Sequence, residues 1–201
     1  MRAATGRAPI RVGILGLGSM GRHHVRNARA TPGFEVVALA DPAGDPHGVA
    51  GPLEVLPDVH ALIRAGIDAA IVAAPTVHHE EAALALARAG VHALVEKPLA
   101  ASAAAGARIR DAFCAAGLVG AVGYVERCNP ALIEMRRRIA DGQLGQIYQI
   151  ATRRQSPFPA RICDVGVVKD LATHDVDLAA WVAGAPYESI YARTSVRSGR
   201  V

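Results

Sequence analysis

The sequence predicts an α/β fold built on a doubly wound parallel sheet, and three observations carry that prediction. Apolar, strand-like runs alternate with helix-like segments from residue 10 to residue 124. Runs such as residues 69–74 lack polar alternation, as strands buried on both faces of a parallel sheet do. A glycine-rich turn follows the first run. We therefore expect a Rossmann domain at residues 1–122.

The glycine-rich turn is Gly16-Leu17-Gly18-Ser19-Met20-Gly21, between a predicted strand at 10–15 and a predicted helix at 22–29. In a dinucleotide-binding turn, Gly16 permits the tight bend, Gly18 lets the backbone approach a pyrophosphate, and Gly21 lets helix and strand pack closely. The start of the helix offers N–H groups to phosphate oxygens. The alternative is a glycine-rich turn in an α/β domain that binds no dinucleotide.

An acid follows the second predicted strand, residues 34–40. Asp41 lies about 20 residues past the last glycine, where it can accept a hydrogen bond from a ribose 2′-hydroxyl. Its charge would repel a 2′-phosphate, and no Arg or Lys follows it before Arg64. We therefore expect NAD rather than NADP, and Arg22 beside the glycines is the feature that opposes this choice.

The remaining elements of the first half follow in order. Strands are predicted at 53–56, 69–74, 91–95 and 118–124, and helices at 57–65, 77–89 and 102–116. Ligands bind at the carboxyl ends of the strands in such sheets. That rule groups the glycine turn, Asp41, Pro75-Thr76 and Glu96-Lys97-Pro98 around one crevice.

The pattern changes at about residue 123. We expect helices at 129–139 and from about 170 to 183, strands at 147–152 and 188–196, and a loop at 156–163. Residues 123–201 are therefore predicted to form a second, incomplete α+β domain with an open-faced sheet.

Composition excludes several classes of protein. The chain has 201 residues, is 51% hydrophobic and carries a net charge of +4. It lacks an aromatic-interleaved basic run for nucleic acid and an apolar run long enough for a membrane. Its three cysteines have no metal spacing and suit a reducing, cytoplasmic location. Residues 1–9 lack the apolar core of a signal peptide, so we expect a disordered tail.

Lys97, Asp170 and His174 are the candidate catalytic residues. Pro98 restricts Lys97 to extended conformations, which can aim its ammonium into the crevice. Asp170 and His174 are spaced i, i+4, so the carboxylate can orient the imidazole. The alternatives are a surface lysine, a helix N-cap and a core histidine. We predict no metal site, since the adjacent His78 and His79 point apart and have no third ligand near.

Several motifs together resemble one family. They are Gly-Leu-Gly-Ser-Met-Gly, Pro75-Thr76-x-x-His79, Glu96-Lys97-Pro98, Gly123-Tyr124-x-x-Arg127-x-Asn129-Pro130 and Asp170-x-x-x-His174-Asp175-x-Asp177. In this order they are similar to the glucose–fructose oxidoreductase / inositol dehydrogenase / MocA family. The resemblance covers about residues 9–196. Segment 156–171 is similar to UDP-N-acetylglucosamine 3-dehydrogenases.

The resemblance implies an NAD(P)-dependent dehydrogenase that acts on a secondary hydroxyl or ketone of a sugar, cyclitol or sugar nucleotide. It implies Lys97, Asp170 and His174 as the catalytic set, and homo-oligomers of the full-length form. The implied cofactor-binding residues are Gly16, Leu17, Gly18, Ser19, Met20, Gly21, Asp41, Pro75, Thr76, His79, Glu96 and Lys97. Family members run well past 300 residues, so we expect a C-terminally truncated chain. The alternative function is a non-catalytic dinucleotide-binding protein or an inactive remnant.

Overall fold

A computed structural model describes residues 8–155, 166 and 168–195 of the chain. The chain divides into two compact units, Met1–Gly123 and Tyr124–Val201. This division falls one residue beyond the boundary predicted from the sequence.

The first unit contains one six-stranded parallel sheet in the order β3-β2-β1-β4-β5-β6. The predicted doubly wound sheet is confirmed, and the chain reverses its direction of growth between β1 and β4. The strands are β1 (Ile10–Leu15), β2 (Phe34–Ala40), β3 (Val55–Leu56), β4 (Ala69–Val72), β5 (His92–Val95) and β6 (Gly120–Val122). The helices are α1 (Gly21–Ala30), α2 (Val59–Arg64), α3 (His79–Arg88) and α4 (Ala103–Ala115).

Two apolar layers cover the faces of this sheet. On one face, Val25 and Ala28 of α1 pack with Val12, Ile14 and Leu39 of the strands. The other layer is larger and joins the sheet to α2, α3 and α4. Alanine is the commonest residue among its buried members, so helices and sheet lie close together. This double-sided burial explains why the strands read as continuous apolar runs.

Helix starts follow local hydrogen bonding. Asp58 accepts the Ala61 N–H at 2.8 Å, so α2 begins at Val59 rather than at the predicted Pro57. Ser102 caps α4 in the same way, through the N–H of Ala105. The predicted helix at 77–89 begins instead with a 3₁₀ turn, Thr76–His78, before α3.

The regular secondary structure of the second unit is helical among the described residues. A 3₁₀ turn (Val125–Cys128) precedes α5 (Pro130–Ala140), and a π-helical turn (Val168–Ala172) leads directly into α6 (Thr173–Ala183). The strands predicted at 147–152 and 188–196 are wrong for the described residues, where no ladder forms. An extended segment becomes a strand only when a partner takes up its backbone N–H and C=O groups. The predicted loop at 156–163 and residues 1–7 of the predicted tail lie outside the described residues.

No helix among the described residues combines the length and apolar character that crossing a bilayer requires.

Candidate active site

The glycine turn after β1 depends on two glycines for its shape. Gly16 has a φ of +91°, and a Cβ there would lie 2.6 Å from the backbone of Ala73 and Ala74. A Cβ on Gly21 would overlap the carbonyl group of Gly16. The turn therefore packs directly against the end of β4, at the point where the strand order reverses. In open α/β sheets this point is where ligands bind.

Gly18 differs from those two glycines because it faces open space. A Cβ on Gly18 would meet nothing within 4 Å. The adjoining helix α1 has no side-chain cap at its N-terminus and no acidic residue in its first turn. The N–H groups of Arg22 and His23 in its first turn already donate to the carbonyls of Gly18 and Met20, whereas the positive end of the helix dipole favours an anion at this terminus. The residues present fit a dinucleotide pyrophosphate, which the backbone from Gly18 to Gly21, including Ser19 and Met20, would hold.

Asp41 joins the ends of β1 and β2. Its Oδ2 accepts the N–H of Leu17 at 2.7 Å, and its Oδ1 accepts the N–H of Ala43 at 2.8 Å. Each carboxylate oxygen retains capacity for a further hydrogen bond, such as one from a ribose hydroxyl. The side chain of Leu17 is fully buried. The structure therefore gives Leu17 a part in supporting the turn, because both its side chain and its N–H are already engaged.

Glu96, at the carboxyl end of β5, connects three segments. It is 6% exposed; its Oε1 lies 2.7 Å from Nε2 of His24 in α1, and its Oε2 accepts the N–H of Lys97 at 3.1 Å. A Cβ on Gly123 would lie 2.9 Å from the Glu96 carboxyl group. Helix α1, the Lys97 backbone and the end of β6 therefore meet at this carboxylate. The links to His24 and Gly123 were missed from the sequence, where nothing in the spacing marks them.

The segment after β4 carries Pro75, Thr76 and His79. Pro75 is exposed, Thr76 is buried, and His79 is 1% exposed. The Nε2 atom of His79 lies 2.8 Å from the Ala74 carbonyl oxygen, and its Nδ1 lies 3.0 Å from the Pro98 carbonyl oxygen. The ring of His79 therefore contacts backbone carbonyls on both sides and is closed off from solvent, so it offers no free side-chain atom to a cofactor.

Asp170 and His174 belong to the second unit. Asp170 lies in the π-helical turn and is 6% exposed, and its N–H donates to the Gly166 carbonyl at 3.0 Å. His174 is half-buried in the first turn of α6. π-helical turns inside helices are frequent at functional sites. The sequence predicted a plain helical turn here, and periodicity alone does not reveal the extra residue.

Arginine side chains anchor α6 within the second unit. The guanidinium of Arg127 forms two parallel hydrogen bonds with Asp177, through Nε at 2.8 Å and Nη2 at 2.5 Å. Arg154 donates to Asp175 at 2.9 Å and to Glu126 at 3.1 Å. The hydrogen bonds with Asp177 are the largest cause that raises the pKa of Arg127. The hydrogen bond with Asp175 does the same for the pKa of Arg154. The motif that contains Arg127 is therefore joined by an ion pair to the motif that contains Asp177, and this pair holds the helix that carries His174.

Comparison with known proteins gives a consistent result. Residues 10–124 match the family model described as the GFO_IDH_MocA oxidoreductase family with an NAD-binding Rossmann fold, and residues 132–200 match the GFO/IDH/MocA C-terminal domain. Inositol 2-dehydrogenase 2 of Saccharopolyspora erythraea is 34% identical over 94% of this chain and 58% of its own length. The scyllo-inositol 2-dehydrogenase (NAD(+)) of Bacillus subtilis is 32% identical over 90% of this chain and 56% of its own.

A solved structure extends the likeness. The WlbA dehydrogenase from Bordetella pertussis, in complex with NADH and UDP-GlcNAcA, is 28% identical and superposes with a TM-score of 0.84 over 96% of this chain and 60% of that protein. The chain spans less than two thirds of the length of each of these proteins. The motifs, the sheet order and both matched models agree, and the chain belongs to the GFO/IDH/MocA oxidoreductase family.

Proposed function

We propose that the whole protein is an NAD-dependent dehydrogenase that transfers hydride between nicotinamide and a secondary hydroxyl carbon of a cyclitol, sugar or sugar nucleotide. One observation carries the proposal. The glycine turn, which is open to solvent at Gly18, and Lys97 lie at the same ends of the strands, and Glu96 accepts the backbone N–H of Lys97. The named relatives and the WlbA dehydrogenase act on cyclitols or hold a nucleotide sugar, which supports these substrate classes.

The residues divide the work by their chemistry. The backbone from Gly18 to Gly21 holds the pyrophosphate, and Asp41 accepts hydrogen bonds from the adenosine ribose. NAD, when bound, supplies the hydride acceptor. The Lys97 ammonium holds the substrate oxygen, and either His174 or Lys97 takes the hydroxyl proton. Asp170 orients the His174 imidazole and stabilises its protonated form.

The experiment uses the whole protein and follows NADH formation with a panel of cyclitols, sugars and nucleotide sugars. We expect turnover with one of these classes, and a fall in kcat of roughly 10²-fold or more for Lys97→Ala and for His174→Ala, as loss of an acid–base group causes. His60→Ala, at an exposed position on α2, is the matched control. Tight NADH binding without turnover on any substrate would favour the alternative, a non-catalytic dinucleotide-binding protein. Wild-type kcat in the His174 variant would remove that residue from the mechanism.

A further inference from the structure

His79 joins two segments that follow neighbouring strands. Its ring lies between the carbonyl oxygen of Ala74, just after β4, and that of Pro98, just after β5. The residue is 1% exposed and stands at the start of α3, so its backbone is held by the helix. A flat, rigid ring with both nitrogens engaged fixes the spacing between these two carbonyl groups.

The chemistry of the contacts shows what each nitrogen does. Carbonyl oxygens only accept hydrogen bonds, and a neutral imidazole has one N–H, whereas an imidazolium has two. Each ring nitrogen can donate to the carbonyl beside it when it carries hydrogen. A buried carbonyl without a donor is destabilising, so removal of either contact is expected to release the segment that carries it.

The Pro98 contact bears directly on Lys97. The N–H of Lys97 donates to Glu96 on one side, and the carbonyl of Pro98, the next residue, is held by His79 on the other. The backbone of Lys97 is thus fixed from both ends. We propose that His79 is a positioning residue for Lys97, acting through Nδ1 and the Pro98 carbonyl, a role that rests on the proposed function of Lys97.

Two substitutions separate the two contacts. The side-chain nitrogen of an asparagine lies near the place of Nδ1, and that of a glutamine near the place of Nε2. His79→Asn can therefore keep the Pro98 contact, and His79→Gln can keep the Ala74 contact. His78→Gln, at the exposed neighbouring position, is the matched control.

The sequence offers a readout that needs neither substrate nor turnover. Lys97 and Lys169 are the only lysines, and Lys169 is exposed. Competitive labelling of the 201-residue chain with trace acetic anhydride, read by peptide mass spectrometry, gives the Lys97/Lys169 ratio. We expect His79→Asn and His78→Gln to keep the wild-type ratio and His79→Gln to raise it by at least about threefold, because a released segment exposes the amine through local opening.

A purely structural role would lower the unfolding temperature of both His79 variants and leave their labelling ratios alike, which would overturn the proposal. A raised ratio in His79→Asn alone would also overturn it, even if His79→Gln failed to fold. Far-UV circular dichroism establishes that each labelled variant is folded. The labelling ratio does not depend on catalysis. Failure of the proposed dehydrogenase activity would therefore appear separately, as an absence of turnover in the whole protein while the labelling ratios still follow the expected pattern.

Discussion

Asp41 links the ends of β1 and β2 and is the residue proposed to bind the ribose of the cofactor. Its carboxylate anchors the glycine turn through the N–H of Leu17, and we propose that it also accepts a hydrogen bond from the adenosine ribose of the cofactor. Loss of the side chain removes both effects, whereas an amide in its place keeps an acceptor oxygen and removes the charge. The two substitutions therefore separate the anchoring of the turn from the choice of cofactor.

We predict that Asp41→Ala raises the Kd for NADH by about tenfold, which corresponds to roughly 1.4 kcal/mol for the lost charged hydrogen bonds. Asp41→Asn should weaken NADH binding less but relax discrimination against NADPH, because the repulsion of a 2′-phosphate is gone. Fluorescence titration of the 201-residue chain with both cofactors measures this. The control is Asp68→Ala, which loses a hydrogen bond from the backbone N–H of Arg11 at the opposite, amino ends of the strands. Tighter binding of NADPH than of NADH by the wild type would contradict the assignment of NAD.

At the scale of elements, the end of β6 meets the end of β5 at Gly123. A Cβ there would lie 2.9 Å from the Glu96 carboxyl group, which is buried and bonded to His24 and to the Lys97 N–H. A carboxylate in these surroundings has little freedom to retreat. Glycine at position 123 therefore leaves the space that the Glu96 carboxyl group needs in order to hold the Lys97 backbone.

We predict that Gly123→Ala destabilises the first unit by about 1–3 kcal/mol, as overpacking of a filled site does. The control is Gly106→Ala in α4, where a Cβ would make only an ordinary 3.7 Å contact with Leu99. That substitution should stabilise the unit by about 0.5–1 kcal/mol, since glycine is costly inside a helix. Urea unfolding followed by circular dichroism measures both. Equal stability of the Gly123 variant and the wild type would show that Glu96 moves aside freely.

The helix α6 depends on a two-pronged ion pair. Replacing Arg127 by lysine keeps the charge and loses the parallel hydrogen bonds to Asp177. Since the Arg127 side chain is 44% exposed, solvent screening limits the expected loss to about 1 kcal/mol, or roughly a fivefold drop in amide protection across α6. Hydrogen exchange measures the protection. Arg110→Lys, whose partner Asp111 is its exposed sequence neighbour, should leave α6 unchanged.

At the scale of the whole molecule, the two units differ in how much core the described residues bury. The first unit has two apolar layers, whereas among the described residues of the second the buried apolar side chains are Leu178 and Val182. Tyr148, Ile190 and Tyr191 are at least three-quarters exposed in the second unit. Stability increases with the apolar surface removed from water, so the second unit contributes less to the stability of the chain than the first.

We predict that the 201-residue chain binds NADH through its first unit and turns over little or no substrate. Where a core is thin, catalytic groups lose their fixed geometry, and a displacement of about 1 Å can cost on the order of 10²-fold in rate. Hydrogen exchange should show strong protection in β1, β4 and β5 and weak protection in α5 and α6. Sedimentation at several concentrations tests self-association through the exposed apolar side chains. Robust turnover by a monodisperse 201-residue chain would refute this prediction.

The sequence by itself determined the parallel sheet, the glycine turn and the acid after β2. These features are local, since continuous apolar runs, glycine spacing and a polar residue at a strand end lie within short windows of the chain. Strands at 147–152 and 188–196 looked equally local, but they form no ladder in the described residues because a strand requires a partner as well as a pattern.

Only the tertiary structure decided which side chains touch. The contact of His24 with Glu96 spans 72 positions, that of Arg127 with Asp177 spans 50, and that of His79 with Pro98 spans 19. Neither a helical nor a strand period relates such positions, so the sequence marked the residues without showing their partners. The interpretation of His79 changed most. The motif predicted a cofactor-binding residue, and the fold encloses its ring between two backbone carbonyls. Burial and hydrogen-bond direction, which arise only when the strands assemble, made that difference.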